Sequence, residues 1–193
     1  MERQPTVEVH LSPPRLILVM GVAGTGKSEL AKAILEQIWA VYLDNNFLAD
    51  AFSPESRIDQ PYLAVRENLY AALYRITKEN LLIGNSVLLD APHIKQVQDP
   101  QWCRWVQQLA EEAGAWMRAI RCYCSTEVLR ERLEARGEKR DRWNLENWET
   151  FLTQEPPRVP IPFPHLEINT EEALKANVVR VLSYILQDEE ARS

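Results

Sequence analysis

Residues Gly21 to Ser28 read GVAGTGKS and follow directly on an unbroken apolar run, RLILVM, from Arg15 to Met20. The segment Gly21-Val22-Ala23-Gly24-Thr25-Gly26-Lys27-Ser28 fits G-x-x-x-x-G-K-[ST], and each fixed position has a physical reason. Glycine permits backbone conformations closed to other residues, so consecutive N–H groups can turn inward around phosphate oxygens. A helix starting at the end of the loop adds unpaired N–H groups and a positive dipole end. Lys27 is placed to reach β- and γ-phosphates, and the Ser28 hydroxyl to ligate Mg²⁺. A glycine-rich turn matching by chance would need neither a strand before it nor a helix after it. Both flanks are present. The apolar run reads as a buried strand, and Leu30, Ile34, Leu35 and Ile38 share a helical face between Glu29 and Trp39. The chain is therefore expected to bind ATP and magnesium.

Strands and helices alternate along the rest of the sequence. Strands are expected at Ala40 to Leu43, Ser86 to Leu89, Trp116 to Tyr123 and Leu166 to Ile168. Helices are expected at Tyr62 to Ile83, closed by Gly84-Asn85, and at Gln101 to Ala113, Thr126 to Arg136, Trp143 to Leu152 and Glu171 to Gln187. Residues 47 to 61, with Pro54 and Pro61, read as irregular, and Gly137 to Arg142 as a charged interruption. Residues 1–14 read as a loose leader and 188–193 as a flexible tail. The pattern predicts an α/β fold with one doubly wound parallel sheet, its ligand beyond the carboxyl ends of the strands. Asp44 and Asp90 stand at such ends, as the Gly21 turn does.

The chain carries a net charge of −6, which argues against nucleic acid as a partner, because phosphate-backbone binding rests on clustered Lys and Arg. No stretch is long and apolar enough to cross a bilayer, no signal core opens the sequence, and no feature sets an oligomeric state. Cys103, Cys122 and Cys124 form no disulfide or zinc pattern; Cys122 and Cys124 are expected on one strand face as ordinary thiols. These features together predict a cytoplasmic location. The six tryptophans read as packing.

GVAGTGKSELA, YLDNN after the second strand, VLLDAPH at the third, and LRERLEARGEKR before the charged interruption occur in this order. In that order they resemble the small P-loop kinases of the AAA-type ATP-binding family, which includes polynucleotide kinase, zeta toxin, gluconate kinase and chloramphenicol phosphotransferase. The resemblance covers about residues 15 to 187. It implies a P-loop NTPase three-layer sandwich with a five-stranded parallel sheet and a small helical lid, here about residues 134–152. It implies that Arg136 and Arg140, which flank Gly137, are lid arginines neutralising charge on the transferring phosphoryl group, and that Arg132 contacts the nucleotide. It also places an acceptor-binding or magnesium-binding carboxylate at Asp90. Many members carry an Asp as general base two residues after the position of Asp44, where this chain has Asn46. An amide orients a hydroxyl but accepts no proton at neutral pH. The base is then Asp44 or Asp90. Phosphoryl transfer asks more for positioning than for a strong base.

Several of these residues have plainer readings. Asp44 and Asp90 suit turns or caps, and the arginines of 130–142 alternate with glutamates as on a solvated helix face. Tyr62, Arg66 and Tyr70 lie four apart, which makes either a half-buried stripe or an acceptor platform on which Arg57 and Arg66 bind an anionic group. His93 is expected to rim the same pocket, as a loop residue or an acceptor contact. The leading expectation is a kinase acting on a hydroxyl of a small-molecule acceptor. A 5′-hydroxyl nucleic-acid kinase and a non-catalytic ATP-binding switch are the alternatives.

Overall fold

The computed structural model describes residues 9–187. Five strands, β1 (Arg15–Met20), β2 (Val41–Asp44), β3 (Val87–Asp90), β4 (Trp116–Tyr123) and β5 (His165–Asn169), form one sheet in the order β2-β3-β1-β4-β5. Every neighbouring pair is parallel. All residues of β1 and β3 are buried, which is why the sequence shows continuous apolar runs there rather than alternation. Side-chain alternation divides β1 between two cores. Leu16, Leu18 and Met20 pack with α3 (Gln60–Leu82), α4 (Pro100–Glu112) and α5 (Thr126–Arg136) through Leu73, Leu81, Val106, Leu109 and Leu133. Ile17 and Val19 pack with α1 (Lys27–Leu35) and α8 (Leu174–Leu186) through Leu30, Ile34, Val181 and Ile185. The expected α/β three-layer P-loop NTPase architecture is thus the observed one.

The chain runs from β1 outward to β2, returns to β3 between them, then crosses to β4 and β5. The reversal opens a crevice above the carboxyl ends of β1 and β3, where ligands bind in such sheets. Register sharpens the placement: Asp90 pairs with Val19 on one side and Asp44 on the other. Residues far apart in sequence therefore meet at one point above the sheet.

The structure corrects several expectations. Asn45–Phe52 is a helix, α2, which runs into the stretch 47–61 read as irregular. Asp44 accepts the Asn46 N–H at 2.7 Å, so of its two plainer readings, turn and cap, the cap is the observed one. Residues 143–152 are not one helix. They divide into α6 (Arg142–Glu146) and α7 (Trp148–Gln154) at Asn147, whose φ of −122° and ψ of 46° are not helical. Cys122 and Cys124 lie in opposite cores, because β4 ends at Tyr123 and the alternation stops there. Trp105 is not core: it is 43% exposed, while Val106 and Leu109 beside it are buried.

Residues 9–14 are not loose. Val9 exchanges backbone hydrogen bonds with Gln37 and Trp39, His10 stacks on Trp39, and Pro14 accepts from the Trp116 N–H. The remainder of the expected leader, 1–8, and the expected tail, 188–193, lie outside the described residues. Among those described, no helix is long and apolar enough to cross a membrane.

Candidate active site

The loop after β1 is shaped by its own contacts. Gly21 has φ 141°, and a Cβ there would stand 2.4 Å from the Cys122 carbonyl oxygen, so only glycine fits. Its N–H donates to the Pro92 carbonyl at 3.1 Å, tying the loop to the segment after β3. Thr25 is fully buried, and its hydroxyl donates to the Val22 carbonyl at 2.8 Å. The Lys27 ammonium donates to the same carbonyl at 2.9 Å, curled over the loop. Ala23, Gly24, Gly26, Lys27 and Ser28 line a cleft of about 360 Å³, while Gly21, Val22 and Thr25 support them from behind.

Two carboxylates and two hydroxyls meet beside the loop. The Ser28 hydroxyl donates to Asp90 Oδ2 at 2.5 Å across 62 positions of sequence. The Tyr42 hydroxyl lies 3.1 Å from the same oxygen and 3.3 Å from Asp44 Oδ2. Asp90 is 1% exposed, and its Oδ1 has no hydrogen-bond partner among the described residues. A buried oxygen of this kind is costly unless something arrives to satisfy it. Burial, then the charge of Asp90, holds the Asp44 carboxyl above the usual carboxylate range. Burial and both carboxylates push the Tyr42 phenol up as well.

Asp44 turns one oxygen to the α2 cap and does not line the cleft; Asn45 and Asn46 line it instead. Asn45 is 5% exposed, and its Oδ1 also lacks a partner among the described residues. Arg57, Arg66, Asp90, Arg132, Arg136 and Arg140 line the cleft with them. Arg132 donates to the Thr170 hydroxyl and carbonyl, both at 2.8 Å, beside Gly26. Arg136 pairs with the buried Asp141, its Nε at 2.8 Å. Arg57 and Arg140 both pair with Asp50 of α2. Arg66 lies over the Tyr70 ring at 5.7 Å.

His93 does not rim the cleft, which corrects the expectation for it. Its ring is 0% exposed, with Nδ1 3.1 Å from the Ala91 carbonyl and Nε2 3.0 Å from the Tyr74 hydroxyl. Burial lowers its pKa to about 4, so the ring is neutral. Tyr42, Asn45, Asp50 and Asp141 are members of the site that the sequence did not single out. Only Tyr42 left a signal: two residues before Asp44 on a strand, it faces the same way.

A parallel sheet with this loop at its switch point defines an α/β protein of the P-loop nucleotide-binding class. The model of a family described as an AAA domain matches residues 16–157, and the chain belongs to that family. No protein of curated function matches it in sequence. Solved structures share the fold. A presumed kinase from Chloroflexus aurantiacus is 22% identical over 91% of this chain and 100% of its own, with a TM-score of 0.70. The APS kinase of Mycobacterium tuberculosis, in complex with AMPPNP and APS, is 17% identical over 91% and 99%, with a TM-score of 0.64. Kti12 from Chaetomium thermophilum, in complex with ADP-AlF3, is 18% identical over 89% and 100%, with a TM-score of 0.60.

Proposed function

We propose that this chain moves the γ-phosphoryl group of ATP to a hydroxyl of a small-molecule acceptor, with magnesium held at Ser28 and Asp90. The observation that carries this reading is the Ser28–Asp90 contact with the orphaned Asp90 Oδ1 beside it. A hydroxyl next to a buried carboxylate with an unpartnered oxygen is a donor set suited to a small hard cation. Magnesium there would neutralise charge on the transferring group. Kinases among solved proteins of this fold support the transferase half of the reading.

Residues Gly21 to Ser28 hold the phosphates through backbone N–H groups, and Lys27 exchanges the Val22 carbonyl for them. Arg132 contacts the nucleotide beside Gly26. Residues 134–152 act as a lid of the unit 15–187, moving about Gly137, whose φ of 64° suits a hinge. Arg136, at the base of that lid, and Arg140, on it, neutralise phosphoryl charge when the site closes. Asn45 and Asn46 orient the acceptor hydroxyl, and Arg57 and Arg66 bind an anionic part of the acceptor. The acceptor oxygen bonds to the γ-phosphorus, the bond to the β-bridging oxygen breaks, and ADP departs. The hydroxyl proton goes to the unpartnered oxygen of Asp90, the carboxylate that reaches the cleft, while the oxygen that meets Ser28 serves magnesium and Asp44 stands behind through Tyr42.

The test is an acceptor screen read by ATP consumption with Lys27→Ala as blank. Lys27→Ala is expected to lower turnover by ~10²–10³-fold, the usual loss for a positioned donor. Turnover undiminished in that variant overturns the mechanism. Asp90→Asn is expected to cost more in kcat than in ATP affinity; equal losses would restrict Asp90 to magnesium.

A further inference from the structure

A second cavity of about 670 Å³ lies between α3 and α4, next to the cleft. Arg66, Tyr70, Lys95 and Gln96 line both cavities, so a single layer of side chains separates them. The far wall is aromatic: Tyr74, Trp102 and Trp105. Trp105 stands edge-on to Tyr74 at 4.9 Å and keeps 43% of its surface in solvent. Several large apolar side chains of the described residues are exposed, and Trp105 is the one among them that lines this cavity.

The wall is fixed in advance. The Tyr74 hydroxyl accepts the Trp102 Nε1–H at 3.1 Å and meets His93 Nε2 at 3.0 Å. His93 has φ 55°, in the left-handed region that few side chains adopt, three residues after Asp90. One residue in this conformation thus links the end of β3 to the aromatic wall. Rings held by hydrogen bonds need no ordering when a ligand arrives, which favours binding.

Charge identifies the occupant further. Arg57, Arg136 and Arg140 each face a carboxylate. Arg66 and Lys95, at the shared wall, form no ion pair among the described residues, and Arg66 lies over the Tyr70 ring. The wall shared by the two cavities therefore carries two cations, with the aromatic faces and the carboxylates of Glu67, Glu79 and Asp99 on its groove side. Flat rings stack on such faces, and anions pair with such cations.

Resting on the phosphotransferase reading, we propose that the acceptor is an anionic small molecule bearing a flat aromatic ring. The ring enters the Tyr74–Trp102–Trp105 groove through the shared wall, where Arg66 and Lys95 part to take the anionic group, Arg57 joins them from the cleft side, and the hydroxyl points to Asn45 and Asp90. Aliphatic polyols fill only the cleft and are poor acceptors.

The test labels the six tryptophans with 5-fluorotryptophan, assigns their ¹⁹F resonances by single Trp→Phe variants, and titrates with phenyl phosphate. The Trp102 and Trp105 resonances are expected to shift saturably, and inorganic phosphate is expected to leave them unmoved. Trp105→Ala and Arg66→Gln are each expected to weaken phenyl phosphate binding about tenfold, the usual worth of one stacked ring or one paired charge. The groove assignment is overturned if those two resonances stay still or if uncharged phenol binds as tightly. It is also overturned if sedimentation shows that Trp105 closes a dimer of this chain. A fluorescent ATP analogue titrated into the same protein and into Lys27→Ala tests the nucleotide reading separately. Its binding without a phenyl phosphate response sinks only the groove; a phenyl phosphate response without its binding sinks only the nucleotide reading.

Discussion

Tyr42 has one hydroxyl proton and two carboxylates within reach, Asp90 at 3.1 Å and Asp44 at 3.3 Å. Asp44 is the less comfortable of the two, because burial and then the charge of Asp90 raise its pKa. A carboxyl with a raised native pKa makes the fold lose stability as pH climbs and the group ionises. Asp44→Asn keeps a side chain able to cap α2 and removes that charge. It is expected to raise Tm at pH 7 by about 2–4 °C, which ~1 kcal/mol gives in a chain of this size. The gain should vanish below about pH 4, where the aspartate is protonated in both states. Calorimetry across that range checks both halves, and a lower Tm at pH 7 would show that the charge holds the site together. The two carboxylates were legible in the sequence, because each ends an apolar strand run. The hydroxyl joining them was less so, since a tyrosine on a strand has many reasons to be there.

Elements differ in how openly the sequence states them. β1, β4 and α5 begin and end where composition changes abruptly, and the expected limits coincide with the observed ones. α2 was hidden because Asp-Asn-Asn serves a turn as well as a helix start, and tertiary contact decides between them: Ala49 is fully buried. The break between α6 and α7 was hidden because helical spacing continues across Asn147 while only its backbone departs. α3 has a clear start: the Asp59 side chain accepts the Tyr62 N–H at 3.1 Å, and a proline follows at the beginning of the helix. Asp59→Ala is expected to cost ~1 kcal/mol, typical for removal of a cap. Urea unfolding should show an earlier midpoint with unchanged slope; an unmoved midpoint would mean that packing against α2 alone fixes this end of α3.

Across the whole molecule, the phosphate loop and the parallel architecture could be read from local sequence, whereas the cleft's electrostatics could not. Arg140 meets Asp50 across 90 positions, and no spacing rule anticipates such a contact. His93 shows the same limit in the core. Its surroundings, with Tyr70 and Tyr74 of α3 and Trp102 of α4 beside it and Lys27 of α1 acting on it at longer range, come from three separate elements. With a native pKa near 4 and an unfolded value near 6.5, the unfolded chain binds the proton first. Stability should therefore fall from about pH 6.5 toward pH 4, by an amount of order 3 kcal/mol at about 1.4 kcal/mol per pKa unit. His93→Asn, which tolerates positive φ, should start less stable at pH 7 and lose less on acidification. Parallel slopes for the two proteins between pH 6.5 and 4.5 would assign the acid loss to other groups.

Asp50 is a resident counter-ion. One half-exposed carboxylate engages Arg57 and Arg140 while both arginines face the cleft. On the proposed reading an incoming anion has to displace it, and the resting site is expected to favour solutes with charge enough to compete. Added salt screens the internal pairs and the incoming anion alike, so anion affinity should decline less steeply with ionic strength than at a bare arginine pair. Salt titrations of nucleotide affinity in the native chain and in Asp50→Asn, with the steeper slope expected in the variant, measure that buffering directly.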